Sequence, residues 1–94
     1  ATLRTIASSQ ANFFSQNNRF ARIVELNVVN RGIFGTTAGD RVIRGKFVFE
    51  MNPVNPTDAE LRNEYTLTAT RSVTDDTVYK YELTHSGEIV QILP

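Results

Sequence analysis

The segment that decides the fold is residues 2–16, which read TLRTIASSQANFFSQ. Its apolar side chains recur at the three- and four-residue spacing of one helix face, and polar side chains fall largely between them. The apolar positions are Leu3, Ile6, Ala7, Ala11, Phe13 and Phe14. The Asn17-Asn18 pair then favours a helix end, because asparagine tolerates the left-handed conformation that terminates helices. The sequence therefore predicts a helix over about residues 2–17.

The first turn of this helix has little to cap it apart from Thr2. Its amide groups therefore lack obvious hydrogen-bond acceptors. A bare start of this kind indicates either a helix that was cut or one that continues onto another chain. We expect a partner helix to cover Leu3, Ile6 or Ala7.

The sequence after residue 26 changes from helical spacing to turns and alternation. Residues 27–41 hold Gly32, Gly35 and Gly39, which predicts a loop that is long for a compact domain. Beyond it, apolar and polar residues alternate with the period of a half-buried strand. The predicted strands lie within about 42–51, 65–71, 78–84 and 89–93.

The turns between these strands are marked by their residue types. Asn52-Pro53 ends the first strand because proline cannot donate to a ladder, and Ser86-Gly87 predicts a hairpin near the end of the chain. A helix followed by a meander of about four antiparallel strands is an α+β arrangement. We interpret residues 1–94 as a single domain of this class.

Two parts of the sequence resemble type IV pilins and pseudopilins. The helix followed by NNRFA at residues 17–21 is similar to the end of the long pilin helix. The segment YKYELTHSGEI at residues 79–89 is similar to the last pilin strands, which carry a Ser-Gly hairpin. The resemblance implies a pilin-like roll, in which the helix packs on the sheet. It also implies a non-enzymatic structural subunit of a type IV pilus or a pseudopilus-like filament.

Two elements of that family are missing from this sequence. One is the hydrophobic first half of the long helix, and the other is the cysteine pair near the C terminus, since the chain has no cysteine. Either the hydrophobic half was deleted, or a separate short helical chain supplies it.

The resemblance implies that the partners are other pilin subunits. If a separate short hydrophobic chain supplies the first half of the helix, that chain is a further partner. It implies a periplasmic location before assembly and a cell-surface or extracellular one afterwards. This chain has no apolar run long enough to insert into a membrane by itself. The alternative is a monomeric periplasmic accessory or binding module of the same fold.

The charges balance overall, with ten Lys plus Arg against ten Asp plus Glu. This balance argues against general nucleic-acid binding. Up to Lys46, however, seven basic residues face two acidic ones, and from Phe47 onward three face eight. Intermixed surface charge is one explanation, and a bipolar subunit that meets its neighbour through opposite charges is the other. For the second we predict contacts among Arg19, Arg22, Arg31, Arg41, Asp58, Glu60 and Asp75.

No residue pattern in the sequence indicates catalysis, a cofactor or a metal. His85 is the only histidine, and its neighbours Ser86 and Asp75-Asp76 lie in predicted turns and do not form a triad. The glycines of residues 32–39 lack the Gly-Lys-Ser/Thr of a phosphate loop. We therefore predict no catalytic, cofactor-binding or metal-binding residues, and we interpret Asp75-Asp76 as a solvated turn rather than a calcium site.

Overall fold

The computed structural model describes residues 2–72 and 78–93, which form an N-terminal helix and an antiparallel sheet. The helices are α1 (Thr2–Asn17), α2 (Ile23–Val29) and α3 (Asp58–Leu61). The strands are β1 (Thr36–Ala38), β2 (Arg41–Arg44), β3 (Phe47–Met51), β4 (Thr66–Ser72), β5 (Val78–Thr84) and β6 (Ile89–Leu93). Each strand pairs with the next along the chain, in the order β1-β2-β3-β4-β5-β6. The α+β class with an N-terminal helix is confirmed.

The prediction of about four strands is wrong, because the described residues form six. One extra strand comes from Gly45, which turns the chain within residues 42–51. Gly45 has a φ of 59°, and Arg44 pairs with Phe47 across the turn. Glycine adopts this left-handed conformation without a steric penalty, so two strands form where alternation alone predicts one.

The other extra strand, β1, lies inside the region predicted as a loop, residues 27–41. The start of that region belongs to α2, which ends at Val29, and the chain then turns back to pair β1 with β2. The buried side chain of Asn27 organises this turn. Its Nδ2 donates to the carbonyl of Gly35 at 3.1 Å, and its Oδ1 accepts from the backbone N–H of Phe34 at 3.0 Å. The prediction of one long loop is wrong here. The hydrogen bonds from Asn27 satisfy backbone groups of a tight turn, so that turn can lead directly from α2 into β1.

The core is one cluster between the helices and one face of the sheet. Ile6 of α1 and Leu26 of α2 lie in it with residues of β2, β3, β4 and β5. The buried members are Ile6, Ala21, Ile23, Leu26, Phe34, Val42, Phe49, Met51, Leu61, Tyr65, Leu67, Ala69 and Leu83. Burial raises the pKa of the Tyr65 phenol to about 12. Val42 faces this core, whereas Ile43, which alternation places on the apolar face, points to the exposed side.

α3, which follows the prolines, is a single helical turn, and a capping box holds it. The Thr57 hydroxyl accepts from the N–H of Glu60 at 3.2 Å, and the Glu60 carboxylate accepts from the N–H of Thr57 at 3.1 Å. This reciprocal pair satisfies two amides that a short helix leaves open. The backbone N–H of Phe20 then donates to the carbonyl of Leu61 at 2.8 Å, which ties α3 to the segment after α1.

Candidate functional site

A groove with a volume of about 910 Å³ lies beside the first turn of α1. Its walls are the start of α1, the β2–β3 turn and the adjoining residues of β3 to β6. α1 begins here and ends near Phe20 and Tyr65, whose rings contact each other at the opposite end of the core. The groove is therefore the part of the sheet face that α1 leaves uncovered at its N-terminal end.

Four basic side chains line the groove: Arg4, Arg44, Lys46 and Arg71. The sheet register explains how residues so distant in sequence meet. Phe47 pairs with Arg44 on one side and with Arg71 on the other, and directly paired residues project from the same face. Lys46 lies on the turn next to them, and Arg4 reaches the groove from α1.

The wall between these cations is apolar. It consists of Leu3, Phe47, Phe49, Ala69, Tyr81 and Ile89. The rings of Phe47 and Phe49 are nearly parallel, with centroids 6.1 Å apart. The Arg71 guanidinium carbon lies 5.6 Å from the centre of the Phe47 ring, within the range of a cation–π contact.

The β2–β3 hairpin fixes the position of the basic side chains. Gly45 has the positive φ that a tight two-strand turn requires, and this turn places Arg44 and Lys46 at the rim. Nη1 of Arg44 also donates to Oγ1 of Thr2 at 3.4 Å, which links the turn to the start of α1. The groove is thus formed by contacts between two segments more than forty residues apart in sequence.

Among residues 2–72 and 78–93, the side chains that line the groove include no acidic one. Within residues 2–72 and 78–93, none of the four cations forms an ion pair with a carboxylate. A concave surface that carries unopposed positive charge concentrates anions. The groove is therefore suited to binding an anion. Its described lining residues include no cysteine, serine or histidine that could act as a nucleophile or base.

A second charged cluster joins the end of α1 to α2 and α3, and it includes three of the residues predicted as subunit contacts. Arg19 forms a bidentate pair with Glu25, with Nη2–Oε2 and Nη1–Oε1 distances of 2.8 and 3.1 Å. Arg22 bridges Glu25 at 2.9 Å and Asp58 at 3.0 Å. The hydrogen bond from Arg19 is the main cause that lowers the pKa of Glu25 to about 2, against an opposing effect of burial. Arg19, Arg22 and Asp58 are thus paired inside the chain.

The remaining residues predicted as charge contacts are Arg31, Arg41, Glu60 and Asp75. Arg31 and Arg41 are exposed, and Glu60 caps α3. Asp75 lies outside the described residues.

The three residues predicted to meet a partner helix differ in exposure. Ile6 is fully buried in the core of this chain, whereas Leu3 and Ala7 are half-buried beside it.

The structure places His85 on the exposed β5–β6 turn, where its ring centre lies 6.5 Å from that of Phe20. Within the described ranges, no group of three His, Asp or Glu side chains is placed to hold a metal ion. Asp75-Asp76, which the sequence predicts to be a solvated turn, falls among the residues that are not described.

Sequence reasoning missed the groove, because its cations are scattered over residues 4–71. A signal was nevertheless present around Gly45. The Arg-Gly-Lys turn between two apolar strand segments is recognisable as a hairpin, and it places two cations next to Phe47.

No family model matches this chain, and no curated protein or solved structure gives a match. In the described part of the chain, every helix is too short or too polar to cross a bilayer.

Proposed function

We propose that this chain is the globular part of a type IV pilin-like filament subunit, displayed on the filament surface. The sequence resemblance at the helix and at the last hairpin supports this function. The order of elements is consistent with it, since an N-terminal helix precedes an antiparallel sheet whose strands follow one another in chain order.

The observation that carries the proposal is an exposed apolar segment at the end of α2. Val28, Val29 and Ile33 are 70%, 64% and 54% exposed, respectively. Large apolar side chains concentrated in one short surface segment mark protein–protein contacts more often than free surface. In a filament, a neighbouring subunit would cover this segment.

The last strand offers a second surface of the same kind. β6 lies at one edge of the sheet, and Val90, Ile92 and Leu93 on it are exposed. An edge strand also presents backbone groups that can pair with another chain. Both surfaces favour a subunit that associates with others.

The proposed partners are further pilin subunits and a hydrophobic helical chain. Leu3 and Ala7 are the side chains on the first turns of α1 that such a helix can still cover, since Ile6 is buried in the core. Assembly would begin in the periplasm and place this domain on the outside of the filament.

Co-expression with candidate hydrophobic helices, followed by electron microscopy, tests this function. We expect filaments with the original chain and none with the triple variant Val28→Ser, Val29→Ser, Ile33→Ser. Val54→Ser is the matched control, because Val54 is also exposed but lies in the loop before α3. If the triple variant assembles normally, the α2 segment is not the interface. If the original chain stays monomeric with every helix, the filament function is wrong.

A further inference from the structure

We propose that the basic groove binds a free long-chain carboxylate, that is, an unbranched alkyl chain with one anionic head group. The groove lies at the start of α1, whereas the apolar segment proposed for assembly lies at the end of α2. Leu3 lies in the groove and also at the surface proposed for the partner helix, but Val28, Val29 and Ile33 lie outside the groove. Variants of that apolar segment therefore test assembly separately from ligand binding.

The anionic head group is bound by the two arginines that pair with Phe47 across the sheet. Arg44 and Arg71 flank Phe47 on the two neighbouring strands. Because adjacent strands lie ~4.8 Å apart, the backbones of these two arginines are about 10 Å apart. Their side chains have no carboxylate partner in residues 2–72 and 78–93. A guanidinium group donates paired hydrogen bonds to a carboxylate, so one carboxylate between them gains charge-assisted contacts.

The apolar wall of the groove favours an anion that has a hydrophobic part. Phe47, Tyr81 and Leu3 line the groove at partly exposed positions, and water covers them when the groove is empty. An inorganic anion leaves this surface hydrated, whereas an alkyl chain withdraws it from water and gains free energy with each methylene. The volume of about 910 Å³ is within the range of small-molecule sites.

The shape of the wall favours an alkyl chain over an aromatic ligand. Phe49 and Ala69 are almost completely buried, so they offer little open surface for stacking. Phe47 already contacts Phe49 and the Arg71 guanidinium. A flexible chain can follow the uneven surface that remains, whereas a rigid ring needs an open ring face.

Titration of the isotope-labelled chain with decanoate, below its micelle concentration, tests the site. Amide chemical shifts locate the binding, and calorimetry gives the affinity. We expect saturable shifts at Gly45, Phe47 and Arg71. We also expect binding at least tenfold weaker for 1-decanol, which lacks the charge, and for acetate and inorganic phosphate, which lack the chain.

Variants separate the head-group contact from general hydrophobic binding. The double variant Arg44→Gln, Arg71→Gln should weaken decanoate binding at least tenfold, and Arg62→Gln should leave it unchanged. Arg62 is the matched control because it is exposed and does not line the groove. Lys46→Gln removes a third positive charge from the groove, at an exposed turn position. It should weaken decanoate binding at least twofold.

Three results would overturn the assignment. The first is equal affinity for decanoate and decanol, which means that the cations do not recognise the head group. The second is phosphate binding as tight as that of decanoate, which indicates a site for inorganic anions only. The third is evidence that the ligand binds elsewhere. Either unchanged affinity in correctly folded charge variants or chemical-shift changes confined to the exposed segment at Val28 and Val29 would give that evidence.

Discussion

The side-chain amide of Gln10 pairs in both directions with the backbone of Ala21. Nε2 of Gln10 donates to the Ala21 carbonyl at 2.8 Å, and Oε1 accepts from the Ala21 N–H, also at 2.8 Å. Gln10 is only 1% exposed, and Ala21 is fully buried. Ala21 lies in the segment between α1 and α2, and Gln10 lies in the middle of α1. This pair therefore holds the segment that follows α1 against the middle of α1.

Gln10→Leu should therefore destabilise the fold markedly. Leucine keeps the bulk but leaves a buried N–H and a buried carbonyl without partners, at a cost of about 1–3 kcal/mol for each group. We expect a loss of about 2–6 kcal/mol in the free energy of unfolding, measured by urea denaturation. Gln16→Leu, at an exposed position of the same helix, is the control and should change stability by less than about 0.5 kcal/mol. Equal effects of the two substitutions would contradict the role of the pair.

The low pKa of Glu25 predicts a loss of stability in acid. Its pKa is lowered to about 2 in the folded chain, chiefly by the hydrogen bond from Arg19. A carboxyl with a lowered pKa stabilises the fold above its unfolded value, near 4.5, and loses that contribution as the pH falls to about 2. Because the Glu25 side chain is 33% exposed, screening by solvent reduces the contribution to about 1 kcal/mol.

The comparison of the original chain with Glu25→Gln isolates this effect from all other carboxyls. The variant should be less stable by about 1 kcal/mol at pH 7, and the difference should shrink between pH 4.5 and 2. Thermal unfolding across this pH range provides the measurement. Glu64→Gln is the control, since Glu64 is exposed. A difference that stays constant down to pH 2 would show that the Arg19–Glu25 pair is not the cause.

Two glycines with positive φ should respond very differently to alanine. Gly35 has a φ of 141°, and an added Cβ would overlap the backbone carbonyl of Ile43. Gly39 has a φ of 63°, but an added Cβ there meets nothing within 4 Å. Gly35→Ala must push β2 away from the turn, and we expect it to cost more than about 3 kcal/mol or to prevent folding.

Gly39→Ala carries only the backbone penalty, about 1 kcal/mol. Circular dichroism and urea denaturation of both variants make the comparison. Gly39, at a φ of 63°, lies in the left-handed region that other residues can enter, whereas Gly35, at 141°, does not. The larger loss at Gly35 therefore combines its backbone penalty with the close approach to Ile43. Similar stabilities would mean that the turn and β2 are not packed together.

The burial of Ile6 predicts which side chain anchors α1. Ile6 is completely buried, whereas Phe13 on the same helix is half-buried. Ile6→Ala should cost about 2–5 kcal/mol, because it leaves a cavity in the core. Phe13→Ala should cost about 1–2 kcal/mol, since part of its ring is already in water. A larger loss for Phe13 than for Ile6, measured by chemical denaturation, would place the contact face of α1 differently.

The sequence by itself determined the features that depend on neighbours along the chain. The spacing of Leu3 and Ile6 predicts the N-terminal helix, and Thr57 with Glu60 marks the start of α3. Ser86-Gly87 marks the last hairpin, where the N–H of Gly87 donates to the carbonyl of Thr84 at 2.9 Å. These signals are readable because a helix period, a cap or a turn involves residues only a few positions apart.

Only the tertiary structure decided the features that join distant segments. From the sequence, Gln10 is one polar residue of an amphipathic helix. The neighbouring residues do not indicate that its side chain pairs with Ala21, eleven positions away. Arg19 and Arg22 have a nearby partner in Glu25, but their second partner, Asp58, reaches them only because α3 packs beside them. The physical reason is that each of these groups is satisfied by a partner whose position depends on how the elements pack.

The groove depended most on tertiary structure. Its cations lie on α1, the β2–β3 turn and β4, and they meet because strand register sets Arg44, Phe47 and Arg71 in one row. A shift of one residue in that register would send Phe47 to the opposite face of the sheet. The sequence supplied four cations and an aromatic strand. The pairing of strands and the packing of α1, which carries Arg4, placed them around one concave surface.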